Sequence, residues 1–138
     1  MRRRLAERGH PPEARVRGQA GFDATYRQGV KLVDRAVVAF VRPAADADAA
    51  RGWRLGLSVS RKVGGAPARN RVKRVLREAF RHERLGLPGA CDLVLVARAG
   101  TAPATLADAR AALIRVIERW RRAAERAAAA PRGGSDPR

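Results

Sequence analysis

Between Trp53 and Arg81 the apolar positions change period. Trp53, Leu55, Leu57 and Val59 alternate with their neighbours, the two-residue repeat of a strand. Val72, Val75, Leu76, Ala79 and Phe80 then recur at i, i+3, i+4, i+7 and i+8, which makes one apolar stripe on a helix. Gly64-Gly65 turns the chain between the two, and Pro67 suits a first helical turn, where its missing N–H costs nothing. The spacing predicts a strand over Trp53–Ser60 and a helix from Pro67 to about Arg84, closed by Gly86, Pro88 and Gly89.

The same reading extends to both sides. Gln19–Gln28 forms a short helix with Phe22 and Tyr26 four apart on one face, and Gly29 supplies a left-handed stop. Lys31–Val33 and Ala36–Val41 are strands, and Arg42–Gly52, with Pro43, Asp46, Asp48 and Gly52, is a loop. Asp92–Ala97 is almost continuously apolar, the mark of a strand buried on both faces. Thr105 and Asp108 cap a last helix whose core face is Leu106, Ala109, Leu113, Val116, Ile117 and Trp120. Residues 1–17 carry six Arg without an apolar period and read as a mobile basic arm; residues 127–138 read as a disordered tail. The expectation is one small α/β (α+β) domain over residues 18–126, in the order α-β-β-β-α-β-α, with helices around a central sheet. Trp53–Ser60 and Asp92–Ala97 flank the middle helix and can lie parallel, but the element order leaves the sheet order open.

Charge gives the middle helix its meaning. The chain has 30 Lys plus Arg against 13 Asp plus Glu, a formal net charge of +17. From Arg61 to Arg81 there are eight Lys and Arg and a single acid, Glu78. Asn70, Lys73, Arg74, Arg77 and Arg81 share the face opposite the apolar stripe, Arg69 and Arg71 begin the helix, and Arg61 and Lys62 approach from the strand end. Like charges four apart, as at Lys73 and Arg77, destabilise a helix by about 0.2–0.5 kcal/mol per pair. A solvated basic face is the bland reading of such a run. The whole-chain charge favours a polyanion instead, and the helix N-terminus adds N–H groups that attract phosphate. Arg and Ala abundance also marks GC-rich coding, so the placement of the arginines says more than their number.

Other chemistries find little support. No apolar run approaches the roughly 18–20 residues that span a bilayer, so no membrane partner is expected. The opening MRRRLAERGHPP has no apolar segment behind its arginines and does not read as a secretory signal. Cys91 is the only cysteine, which excludes an internal disulfide and fits a reducing, cytoplasmic setting with the thiol as a small buried hydrophobe. Asp23, Asp34, Asp46, Asp48, Glu78, Glu83, Asp92 and Asp108 are scattered, whereas a metal-dependent nuclease needs clustered carboxylates. His10 and His82 are not a convincing acid–base pair, and Gly64-Gly65 lacks the ending of a P-loop. No catalytic residue is assigned. The best-supported chemistry is RNA binding by Arg61, Lys62, Arg69, Asn70, Arg71, Lys73, Arg74 and Arg77. Phe22 and Tyr26 either pack into the core or stack on unpaired bases, and partial burial allows both.

The stretch GLSVSRKVGGAPARNRVKRVLREAFR resembles the signature of the bacterial ribonuclease P protein subunit, centred on Arg69-Asn70-Arg71-Val72-Lys73-Arg74 and followed by Arg77. Phe22, Tyr26, Arg27 and Gly29 resemble that family's early helix, VVAFVRP its next strand, and Leu87-Pro88-x-x-x-Asp92 through Ala97-Arg98 its late strand. The likeness covers about Arg17 to Trp120. It implies a central four-stranded sheet of a kind shared with a ribosomal-protein domain, with a rare left-handed β-α-β crossover. It further implies a ribonucleoprotein, one protein per RNA subunit, in which the catalytic RNA removes the 5′ leader of precursor tRNA. Mg2+ would be held mainly by that RNA and none by the protein alone. The basic helix would dock on the catalytic RNA, and Phe22 and Tyr26 would line a cleft for the leader. One position departs from the pattern: the turn before the helix usually reads Gly-Asn, and here it is Gly64-Gly65, so any contact of the Asn side chain, including one to a metal-bound water, is missing.

Three further readings compete. A structural ribosomal protein would share the basic patch, but needs no groove for a mobile strand. A DNA-binding regulator would need a helix-turn-helix, and Trp53–Ser60 reads as a strand instead. A stand-alone ribonuclease would rest on His82.

Overall fold

The structure, a computed structural model, describes residues 15–44 and 51–129. Helix α1 (Gly18–Gln28) leads into strands β1 (Val30–Val33), β2 (Val37–Pro43) and β3 (Arg54–Ser58); helix α2 (Ala66–Glu83), strand β4 (Cys91–Ala97) and helix α3 (Leu106–Ala129) follow. This is the element order expected from the sequence. Arg15–Arg17, assigned to the arm by composition, belong to the fold: Arg15 bridges Leu55, and Val16 is buried. Helix α3 likewise runs past Arg126 to Ala129. The remainder of the expected arm and tail, His10, Asp46 and Asp48 lie outside the described residues.

The four strands form one sheet in the order β1-β2-β4-β3. β2 pairs antiparallel with β1 and β4, while β3 and β4 are parallel. Parallel neighbours need a crossover connection, and α2 is that connection. Pro43 ends β2 opposite Cys91, beyond Val41, the last residue that β1 reaches, so its missing N–H breaks no ladder.

Alternation along the strands divides the sheet into two faces. Leu32, Val37, Ala39, Val41, Leu55, Leu93 and Leu95 pack on one face against Val72, Leu76, Ala79 and Phe80 of α2 and Ala109, Leu113, Val116 and Ile117 of α3. Phe40, Val94 and Gly56 stand in register on the other face, where α1 lies. β4 is thus sandwiched, and its Leu93, Val94 and Leu95 have no exposed surface. Trp53 closes one end of the helical layer: its ring meets Trp120 edge to face at 5.1 Å, and its Nε1 donates to Pro88 O at 2.9 Å. Arg84 at the end of α2 donates to Trp53 O and Arg51 O.

Gly29 ends α1 for a different reason from the one expected. Its φ of −80° is ordinary extended backbone. A Cβ there would lie 2.5 Å from Thr25 O and 3.1 Å from Val41 O, so close approach, not a left-handed turn, requires glycine.

On the α1 face, Arg42, Asp92 and Arg54 are register partners across β2, β4 and β3. Asp92 is wholly buried. Arg54 binds it twice (Nε to Oδ1 2.8 Å, Nη2 to Oδ2 3.1 Å), Arg42 Nη2 donates at 2.7 Å, and Arg51 Nη2 at 3.0 Å. A second carboxylate, Asp34 in the β1–β2 turn, takes two bonds from Arg115 of α3 at 2.7 and 2.9 Å, while Arg98 donates to its carbonyl oxygen.

Burial alone would raise the Asp92 carboxyl, but the Arg54 hydrogen bonds and the charges of Arg54, Arg51 and Arg42 outweigh it and hold the group below its ordinary value of 3.8. A folded-state value below the unfolded one contributes stability above pH 4 that drains away as the pH falls further. Asp92→Ala leaves three converging guanidiniums without their counter-charge and is expected to cost about 3–5 kcal/mol in denaturant unfolding at pH 7. Asp92→Asn is expected to flatten the acid limb of stability against pH; an unchanged limb would remove Asp92 as its source.

Candidate nucleic-acid interface

The basic helix is aimed by the turn before it. After β3, Ser60 Oγ accepts from Lys62 N at 3.3 Å and starts a single 3-10 turn over Arg61–Val63. Gly64 follows at φ 154°, where a side chain is strained and a Cβ would lie 2.9 Å from the Ala68 Cβ. Gly65 is the N-cap of α2, at an ordinary φ of −72° and with no side-chain cap. Space for a side chain exists there, since a Cβ meets only Pro67 Cδ at 3.8 Å. The first turn of α2 contains no acid, so its unpaired N–H groups and positive dipole end remain uncompensated by side chains.

The predicted RNA-binding residues divide into three groups. Arg69 turns back on the chain, with its Nε donating to Gly64 O at 3.2 Å, so part of its donor set holds the turn. Arg61, Lys62, Asn70, Arg71 and Arg74 are exposed on the outer surface. Lys73 and Arg77 reach to the side and line a cleft of about 280 Å³ with Phe22 of α1 and Leu55, Gly56 and Leu57 of β3. Among the described residues, Arg71, Lys73, Arg74 and Arg77 make no ion pair; the two acids of α2, Glu78 and Glu83, are engaged near its C-terminal end by Arg81 and Arg110. His82 lies 3.7 Å from Glu78 on the helix surface.

Gly56 makes the cleft possible. A Cβ at this position would sit 2.7 Å from Phe22 Cζ, so only glycine lets the ring down onto β3. Phe22 and Tyr26 are both half-buried: each packs, and each keeps an accessible part. Tyr26 does not line the cleft. It meets Phe40 of β2 edge to face at 4.9 Å, with Phe22 6.3 Å away, which makes an aromatic row over the sheet. Phe40 was missing from the sequence-based site. Its signal was the alternation of β2, which turns Phe40 away from the face of Ala39 and Val41.

Burial, with a lesser contribution from the Asp92 charge, pushes the Cys91 thiol up to about 11, against the opposing charge of Arg51. Among the described residues no three His, Cys, Asp or Glu side chains cluster as metal ligands, and no helix is long and apolar enough to cross a membrane.

The ribonuclease P family model matches residues 11–121. The ribonuclease P protein component of Shouchella clausii is 37% identical over 108 residues, covering 78% of this chain and 85% of that protein. Its counterpart in Desulfovibrio desulfuricans is 40% identical over 114 residues, covering 81% and 86%. The solved RNase P protein of Staphylococcus aureus superposes with a TM-score of 0.66 at 28% identity, over 76% of this chain and 93% of that one. That of Thermotoga maritima gives 0.64 at 28% identity, over 76% and 96%. A basic helix reached through a glycine turn, a sheet of this order and these likenesses agree, and the chain belongs to the ribonuclease P protein family, which serves in tRNA processing.

Proposed function

We propose that this protein is the cofactor of an RNA-based endonuclease and divides its basic surface between two RNAs. The outer face of α2, with Arg71 and Arg74 and the adjoining Arg61, Lys62, Arg69 and Asn70, docks on the catalytic RNA. The cleft between α1, β3 and α2 holds the single-stranded 5′ leader of precursor tRNA. The observation that carries this reading is the meeting of Phe22 with Lys73 and Arg77 around one cleft. An aromatic face takes an unpaired base of any sequence, and cations beside it take the phosphates, which is the chemistry of single-strand binding. Tyr26 and Phe40 continue the aromatic surface toward β2.

In this reading the protein contributes binding and the RNA contributes the chemistry. Mg2+ supplies activation of water and charge stabilisation at the reacting phosphate, and is held mainly by the RNA subunit. The protein acts by holding the leader beside the RNA, with one protein per RNA subunit in the cytoplasm. A ribosomal scaffold is the alternative, but a static rRNA contact has no use for an open cleft that pairs an aromatic ring with two cations.

The deciding experiment is cleavage of precursor tRNA at low magnesium by a bacterial catalytic RNA alone, this protein alone, and the two together. Cleavage at the mature 5′ end only in the mixture supports the reading; no stimulation of an RNA that is active with its own protein refutes it. Arg71→Ala and Arg74→Ala, on the outer face of α2, are expected to weaken assembly and to flatten its salt dependence, by about 0.7–0.9 in the log–log slope for each phosphate left without its cation. Phe22→Ala is expected to weaken leader-bearing substrates by about 1–3 kcal/mol while sparing leaderless ones. Gly56→Val, which drives the Phe22 ring off β3, should reproduce that selective weakening in the same competition assay.

A further inference from the structure

A third cation reaches the cleft from a segment outside both helices. Val16 N donates to Leu55 O at 3.0 Å, and Arg15 forms a parallel bridge with Leu55. These residues therefore lie along the outer edge of β3, held there by a single parallel bridge. Val16 is only 7% exposed, so the segment is fastened by a side chain as well as by the backbone. Its contacts are tight on both sides: a Cβ on Gly21 would lie 3.1 Å from Val16 Cγ1, and one on Gly56 3.2 Å from Val16 Cβ. Gly56 thus accommodates Val16 and the Phe22 ring together.

Arg15 lines the same cleft as Phe22, Lys73 and Arg77. Arg15 is exposed, while the residue after it is anchored. A guanidinium on an anchored backbone reaches a ligand with less ordering cost than one on a loose arm. Its planar donor fork also matches phosphate oxygens.

We propose that Arg15 is a positioning residue of the leader cleft, gripping a backbone phosphate of the strand whose base lies against Phe22, from a wall separate from that of Lys73 and Arg77. The proposal rests on the assignment of the cleft to the leader. It adds a residue that precedes α1 and is set in place by the β3 edge.

The test uses holoenzyme assembled with a bacterial catalytic RNA. Affinity is measured against salt for a leader-bearing precursor tRNA and for leaderless tRNA. Arg15→Ala is expected to weaken the leader-bearing substrate about tenfold, the scale of one charge-assisted hydrogen bond. Its log–log salt slope should flatten by about 0.7, the value for one phosphate of a single strand, with leaderless tRNA unchanged. Arg17→Ala removes the same charge two residues away from an exposed side chain that does not line the cleft, and should leave both affinities near wild type. Arg15→Lys should restore part of the affinity, and its thermal melt together with that of Arg15→Ala shows that the fold is kept. Equal weakening of both substrates, or equal effects of Arg15→Ala and Arg17→Ala, would overturn the proposal. Phe22→Ala separates the two levels: if it weakens the leader-bearing substrate selectively and Arg15→Ala does not, the role of Arg15 is wrong; if it shows no leader selectivity, the cleft assignment itself is wrong.

Discussion

The fold depends on a carboxylate that has no access to water. Asp92 is the second residue of β4, a strand with neighbours on both edges, and three arginines from β2, β3 and the segment before β3 converge on it. Burying such a group unpaired is prohibitive, and burying it paired returns its cost only when the geometry is good. The bidentate bond from Arg54 and the short bond from Arg42 meet that condition. The arrangement is exacting as well as stabilising, because among the described residues the buried Arg42 Nε has no acceptor. A slip of one residue in either neighbouring strand would turn the arginine to the other face of the sheet and leave Asp92 unpaired. The cluster therefore acts as a register lock across β2, β4 and β3.

That register sets the site. With Asp92 opposite Arg42 and Arg54, Val94 stands beside Phe40 and Gly56, so the aromatic side chain of β2 and the bare backbone of β3 come to the same face. Helix α1 then rests Phe22 on Gly56 and Tyr26 on Phe40. From the other side of the sheet, α2 fills its apolar stripe with Val72, Leu76, Ala79 and Phe80, which fixes the helix rotation and sends Lys73 and Arg77 to the β3 edge. The cleft is the product of these placements.

Much of this was legible in the chain, and what was hidden was hidden for physical reasons. The rotation of α2 followed from its 3.6-residue period, and the burial of β4 from its unbroken apolar run, because both patterns are local. The position of β4 between β2 and β3 is a pairing choice that no local pattern encodes. With it went the role of Asp92, which in the sequence is one acid among several, since its partners Arg42 and Arg54 become neighbours only once the sheet order is known. Gly56 carried a signal, because glycine inside a strand marks a close approach, but the partner ring lay in a different element. Gly29 shows the reverse error: the residue type was right for a helix end, while the reason was crowding by Thr25 O and Val41 O. Arg15–Val16 pair through a single bridge, too short to leave any period.

The cleft is drawn from segments far apart in the chain: Phe22 and the Arg15–Val16 edge near its start, β3 in the middle, and α2 after the turn. The charge on α2, by contrast, is entirely local. A chain in which only that helix has formed can already attract phosphate, but it has no surface that distinguishes a free single strand from any other polyanion. The cleft itself needs the parallel β3–β4 pair, which closes a loop containing all of α2. Under the proposed function, attraction for RNA is written in one helix, whereas selectivity among RNAs needs the assembled sheet.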